Sequence, residues 1–416
     1  MTITTTRSTA GRWPGLDAVP SGIRTEVSSR VARRLFIGAV DRLDVTVHAG
    51  QETFGRGGPA MTVHRPGELY ARLGRDGLIG FGEAYLTGAW TAEDLTGFLT
   101  VLAANVGDLI PRPLQRARSL VQRRTPRAHR TTADRTRDLI AHHYDLSNEL
   151  FGLFLDESLS YSSALFDGDL GEDLLLAQHR KIDRLLDRAG VGAGTRVLEI
   201  GTGWGELAIR AARRGATVHT VTLSSGQLAL ARQRVADAGL SDRVSVELCD
   251  YREVRGEYDA VLSVEMIEAV GHEYWPTYFR TLDRLLAPGG RVAIQAILMP
   301  HDRMLATRGS YTWINKYIFP GGFLPSAEVI DEVTERHTSL RVTNRLTFGA
   351  DYAETLRRWD QAFLAAGDDV RRLGFDETFV RMWHFYLCYS RAGFASGYLD
   401  VQQLTLERPA SVMIAP

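Results

Sequence analysis

Lysine is nearly absent from this 416-residue chain: Lys181 and Lys316 stand against 47 arginines. Arginine is the better residue for bidentate phosphate binding, but compositional bias of the coding sequence explains so uniform a ratio more simply. Cysteine is as scarce. Cys249 and Cys388 alone exclude a disulfide framework or a cysteine-built zinc site, and they suit a reducing cytosol. A net charge of −1 and a pI of about 6.8 leave no global positive excess for nucleic acid. No apolar run approaches the roughly 18 residues of a membrane span. The segment MTITTTRSTAGRWPGL also lacks the apolar core of a signal peptide. A cytoplasmic protein, at most peripherally attached to a membrane, is expected. No internal repeat is evident, and the length predicts two or three domains.

Residues 1–20 are polar, Thr-rich and punctuated by Gly and Pro, and predict a disordered tail. Residues 21–110 read as a small mixed α+β domain. Leu43 to His48 alternates like a half-buried strand, Ala60 to His64 resembles its partner, and Thr91 to Val106 has helical spacing with Thr91 as N-cap. Residues 111–137 carry nine arginines and one acid, and predict an Arg-rich linker or a patch for an anionic surface. The remainder, 138–416, alternates strand and helix as a parallel α/β sheet requires. Strands are expected at Val197 to Ile200, Thr217 to Leu223, Val244 to Leu248, Tyr258 to Val264 and Arg291 to Leu298. An aromatic insertion at about 300–325 interrupts that alternation on the side where ligands bind.

The stretch Val197-Leu-Glu-Ile-Gly-Thr-Gly-Trp-Gly-Glu206 reads as a buried strand, a glycine turn and a helix. Gly201, Gly203 and Gly205 let the backbone bend and approach a ligand, and the helix N-terminus aims amide groups at it. The Gly-x-Gly-x-Gly spacing, with Glu199 two residues ahead, fits S-adenosylmethionine (SAM) better than a dinucleotide.

Several separated motifs carry a family resemblance: Gly82-Glu-Ala-Tyr85, His143-Tyr-Asp-Leu-Ser-Asn-Glu-Leu-Phe151, Tyr161-Ser162, Glu199 to Gly205, Thr222-Leu-Ser-Ser-Gly-Gln227, Trp313 to Gly322 and Phe348-Gly-Ala-Asp-Tyr352. Together they resemble the cyclopropane-fatty-acyl-phospholipid synthases and the mycolic-acid methyltransferases. The resemblance implies a Rossmann-like SAM-dependent methyltransferase domain with a smaller N-terminal α+β domain. It further implies addition of a one-carbon unit to the double bond of an unsaturated phospholipid acyl chain. The cofactor residues it implies are Gly201, Gly203 and Gly205 for the methionine part, Tyr161, Ser162, Glu199 and Trp204 around it, and Thr222 and Gln227 on the ribose side. Asp250, Tyr251 and Arg252 are expected to flank the adenine. Trp313, Tyr317 and Phe319 are expected to wall the acyl group.

In this family a bound bicarbonate acts as base, and Glu268 and Tyr352 match two of its holders. Ser163 stands in place of a cysteine, Gln295 in place of a histidine, Ser390 in place of a later cysteine, and Ala269 in place of another histidine. Glu265 replaces a small residue and is read as structural; Glu265 and Glu268 are expected on one face at i and i+3. These changes surround the base. Loss of a proton from the incoming methyl is expected to give a cyclopropane, and loss from elsewhere, after a hydride shift, a methylene branch, as in tuberculostearic-type chains.

The partners implied are unsaturated phospholipid acyl chains at an anionic membrane surface. A homodimer and a reductase partner are left open. The rival readings are an N- or O-methyltransferase of a small metabolite, against which the aromatic insertion argues, and a non-catalytic lipid- or SAM-binding protein.

Overall fold

The computed structural model describes residues 13–107 and 147–409, which fall into two compact units. The Arg-rich stretch 111–137 and the first half of the His143 motif lie outside the described residues.

The first unit holds the N-terminal part of the chain and also takes residues 376–389. The expected continuous domain 138–416 is therefore interrupted. The reason is local packing: the Trp13 indole N–H donates to Asp376 Oδ2 (2.9 Å), and Phe385 lies against Tyr85 at 5.2 Å between ring centroids. Residues 13–20 are likewise held rather than free. The fully buried Arg72 guanidinium donates to Gly15 O (3.0 Å) and Leu16 O (2.9 Å) while pairing with Glu68 at 2.9 Å. The four-stranded sheet has the order β2-β1-β3-β4, built from β1 (Thr46–Ala49), β2 (Glu52–Phe54), β3 (Ala60–Val63) and β4 (Trp90–Ala92). β1 and β3 pair in parallel, as partners in one sheet. Thr91 belongs to β4 and not to a helix cap. Trp90 next to it is fully buried, stacked on Phe81 at 4.5 Å and bonded to Phe81 O, which holds the strand; Asp94 instead caps the helix Leu95–Ala104 through Gly97 N–H (2.8 Å).

The second unit is a seven-stranded sheet of order β10-β11-β9-β8-β5-β6-β7. Its strands are β5 (Arg196–Ile200), β6 (Thr217–Thr222), β7 (Val244–Leu248), β8 (Tyr258–Val264), β9 (Leu286–Leu298), β10 (Arg341–Thr347) and β11 (Asp400–Glu407). β5 to β9 are parallel, and β11 and β10 close the edge antiparallel. Successive β5 residues bury on opposite faces. Val197 packs with Ile182, Leu185 and Leu207 on one side, and Leu198 with Trp275, Phe279 and Leu282 on the other. A strand covered on both faces explains why its sequence is apolar without alternation. The strand order reverses between β5 and β8, and the crevice over the carboxyl ends of these strands is where such sheets bind ligands.

Candidate active site

At the end of β5 the backbone amides of Gly201 and Thr202 both turn to Val221 O, at 3.0 and 3.2 Å. Gly201 has φ +97°, and a Cβ there would lie 2.8 Å from Met266 Cγ, so both conformation and space demand glycine. A Cβ at Gly203 would project into open space, leaving bare backbone facing the crevice. Gly205 caps the helix Glu206–Arg213 in a left-handed conformation and lies behind the cavity.

One cavity is lined by Tyr161, Ser162, Glu199, Gly201, Gly203, Trp204, Thr222, Gln227 and Tyr251. These elements hold one another. Trp204 donates to Asn148 Oδ1 (2.8 Å), and Phe151 lies 5.0 Å from both the Trp204 and Tyr161 rings. Thr222 donates to Gln227 Oε1 (2.9 Å). Glu199, 3% exposed, accepts from Thr220 Oγ1 (2.6 Å), and burial pushes its carboxyl up to about 8. Burial likewise pushes Tyr251 up to about 12. Asp250 and Arg252 do not border the cavity but form a two-pronged pair beside it, Nε to Oδ1 at 2.8 Å and Nη2 to Oδ2 at 2.5 Å. A glycine-lined cradle beside a helix N-terminus, with aromatic and polar side chains around it, fits SAM.

The sequence motifs do not include Lys181, which the structure adds to the site. It is 2% exposed, lines the same cavity and donates to Ser162 Oγ at 2.6 Å. Burial pulls its ammonium down to about 8, against the opposing pull of Glu265, Asp156 and Glu199. The sequence does hold a signal, since Lys181 is one of two lysines in a protein that otherwise uses arginine.

Beyond the glycine turn, Glu265 gathers the expected catalytic group. Its Oε1 accepts from Ser163 N (2.9 Å) and Gln295 Nε2 (2.9 Å), and its Oε2 from the Tyr352 hydroxyl (2.7 Å). Glu265 lines the cavity and is half-buried by surface area, yet protein surrounds it. Burial raises its pKa, opposed by the Tyr352, Ser163 and Gln295 hydrogen bonds and by Lys181. The expected placing of Glu265 and Glu268 on one helix face, with Glu268 at the base and Glu265 structural, does not hold. Glu265 has φ +50° and the backbone leaves β8 in a turn rather than a helix, and the two side chains take different partners. Glu268 Oε1 accepts from Ile297 N (2.6 Å) while its buried Oε2 has no hydrogen-bond partner; burial, then the Glu265 charge, pushes it up to about 8. Ser163 contributes its main-chain N–H, because its hydroxyl donates to Ala164 O (2.9 Å). Ser390, on the helix Glu377–Ala395, shares no hydrogen bond with this group among the described residues. Trp313, Tyr317 and Phe319 do not border the cavity: Trp313 is buried 5.3 Å from the Tyr317 ring, in an insertion organised by Asn315 Nδ2 donating to Gly322 O (2.7 Å).

Bicarbonate does not fit this arrangement. The Ser163, Gln295 and Tyr352 donors are already taken by Glu265 and the Ile297 N–H by Glu268, so a bicarbonate would have to displace a protein carboxyl group to reach them.

Comparison with known proteins agrees with the cofactor. The profile of the family described as mycolic acid cyclopropane synthetase matches residues 131–404. The sequence is 52% identical over 407 residues to a tuberculostearic acid methyltransferase (UfaA1) of Mycobacterium tuberculosis, covering 95% of each. It is 31% identical over 366 residues to the cyclopropane-fatty-acyl-phospholipid synthase of Escherichia coli K12, covering 86% of this protein and 92% of that one. Among solved structures, mycolic acid cyclopropane synthase CmaA1 complexed with SAH and CTAB superposes with a TM-score of 0.60 at 30% identity, covering 68% of this protein and 98% of that one.

Proposed function

The protein belongs to the mycolic acid cyclopropane synthetase family of SAM-dependent methyltransferases, and from that premise we propose that it methylates the double bond of an unsaturated phospholipid acyl chain to give a methylene branch. The observation that carries the reading is that one cavity is lined by both the glycine turn and Glu265. A methyl donor and a proton acceptor therefore face the same space, which methylation of a carbon requires and which the entropy of orientation rewards by several kcal/mol. SAM, when bound, supplies an electrophilic methyl group. The protein's own part is to cradle it with Gly201 and Gly203, keep water out with Tyr161 and Trp204, and take a proton. The branched product is favoured over a cyclopropane because the relative matched at 52% over 95% of both sequences is a tuberculostearic acid methyltransferase.

A lipid surface as the source of substrate is supported in the first unit. The helix Ile23–Val40 exposes Ile23 (82%), Val27 (57%) and Val31 (54%) at four-residue spacing, beside exposed Arg24, Arg30 and Arg34. An apolar stripe edged by arginines is the pattern of a helix lying in an anionic interface.

The test is incubation of the purified protein with SAM and dioleoyl phospholipid vesicles, followed by mass spectrometry of the released acyl groups. A methylene-branched product is expected; a cyclopropane alone would refute the product assignment, and no added carbon would refute the reading itself.

A further inference from the structure

Hydrogen-bond polarity runs one way through this site. An arginine only donates, and Arg184 Nη1 donates to Gln403 Oε1 (2.7 Å). Gln403, 1% exposed, must then present Nε2 to Gln295 Oε1 (3.1 Å), which leaves Gln295 Nε2 to donate to Glu265 Oε1. The Ser163 main-chain N–H, which also only donates, reaches the same oxygen. Glu265 Oε1 is thus held as an acceptor from two sides, and Oε2, on the Tyr352 side, is the oxygen left to receive a proton. The backbone supports the same assignment. Glu265 occupies a left-handed conformation at φ +50°, costly for a residue with a long side chain, and the strain is kept at the residue that both lines the cavity and gathers these donors.

We propose that the Glu265 carboxylate is the proton acceptor of the reaction, a base built into the protein in the place where the family resemblance puts a bound bicarbonate. The inference rests on methylation of an acyl double bond as the reaction. The alkene π pair forms the new bond to the methyl carbon, the C–S pair stays on sulfur, and a cation is left on the neighbouring alkene carbon. The transferred methyl then loses a proton to Glu265 Oε2. Its C–H pair becomes the closing ring bond or, once a hydride shift has moved the cation to the methyl-bearing carbon, the second bond of a methylene branch, so the proton leaves the methyl on either route and not, as expected for the branch, from elsewhere. Glu265 becomes a neutral acid and returns its proton to solvent once product leaves.

The experiment compares the full-length protein with Glu265→Gly and Glu265→Gln. Glycine suits the φ at this position, so Glu265→Gly is expected to fold with an unchanged or higher melting temperature and to bind SAM by calorimetry. Wild-type turnover should be the same in CO2-depleted and bicarbonate-supplemented buffer. Both variants should lose 10²- to 10⁴-fold in turnover, the range of a lost general base, and bicarbonate or formate should restore part of it in Glu265→Gly but not in Glu265→Gln, whose amide still fills the place. Binding is read independently with ¹³C-bicarbonate by NMR: none is expected for the wild type, and saturable binding for Glu265→Gly. Wild-type turnover that rises several-fold with bicarbonate, bicarbonate binding by the wild type, or full turnover in Glu265→Gln would each overturn the proposal. A wild type that makes no acyl product while the NMR pattern holds would instead refute the substrate reading alone.

Discussion

Lys181 and Glu265 line the same cavity, and the ionisation of each depends on the other. Burial raises the Glu265 pKa, so as a base it is lost on acidification earlier than an exposed glutamate would be. Turnover is expected to rise with pH through a value above the usual carboxylate range. Besides burial, the groups that set that value are Tyr352, Ser163 and Gln295 by hydrogen bonding and Lys181 by its charge, while the Glu265 charge raises the pKa of Glu268. Lys181→Met removes the only one of these that is cationic. Glu265 should then protonate at still higher pH, and the acid limb of the pH–rate profile should move upward, with turnover at neutral pH reduced and recovered in alkali. A limb that stays in place would show that Lys181 only supports the fold. At this scale the sequence is only partly legible: its motifs point to Tyr352, Ser163 and Gln295 as a group, but to Glu268 as the acid that joins them. Spacing offers no basis for choosing between Glu265 and Glu268, because the choice depends on a positive φ that no periodicity reports.

At the scale of the element, one turn of the helix Gly349–Ala365 fixes the loop that carries Ser163. Asp351 Oδ2 accepts from Phe166 N (2.7 Å) and Thr355 Oγ1 from Ala164 N (3.2 Å), while Tyr352 between them reaches Glu265. Asp351 is 8% exposed, so Asp351→Ala leaves a buried N–H unpaired and should cost roughly 1–3 kcal/mol. Thermal denaturation should show the loss, and turnover should fall further than stability alone explains, because the Ser163 N–H loses its aim. A variant with normal stability would remove Asp351 from this role. The motif Gly-Ala-Asp-Tyr is legible as a unit in the sequence, whereas its division of labour, Asp for the loop and Tyr for the base, requires the helix phase to be seen.

At the scale of the whole molecule, a net charge of −1 conceals a local arrangement of opposite sense in the first unit. If the exposed Ile23, Val27 and Val31 stripe and its arginines meet anionic lipid, each arginine contributes about 1 kcal/mol and raised salt screens it. Co-sedimentation with phosphatidylglycerol vesicles should weaken from low to high salt, and Val27→Glu should weaken it at every salt concentration. Binding indifferent to both would locate lipid contact elsewhere. The sequence by itself determined the architecture and the cofactor. Apolar runs marked β5 to β9 within a few residues, and glycines at 201, 203 and 205 marked the turn, because burial and backbone freedom are properties of single residues and short segments. Only the tertiary structure decided which carboxylate these donors surround. Ser163, Glu265, Gln295, Tyr352 and Gln403 come from five separate segments, and what joins them is hydrogen bonding that converges on Glu265, with the Gln403–Gln295 direction imposed from Arg184 once the sheet has closed.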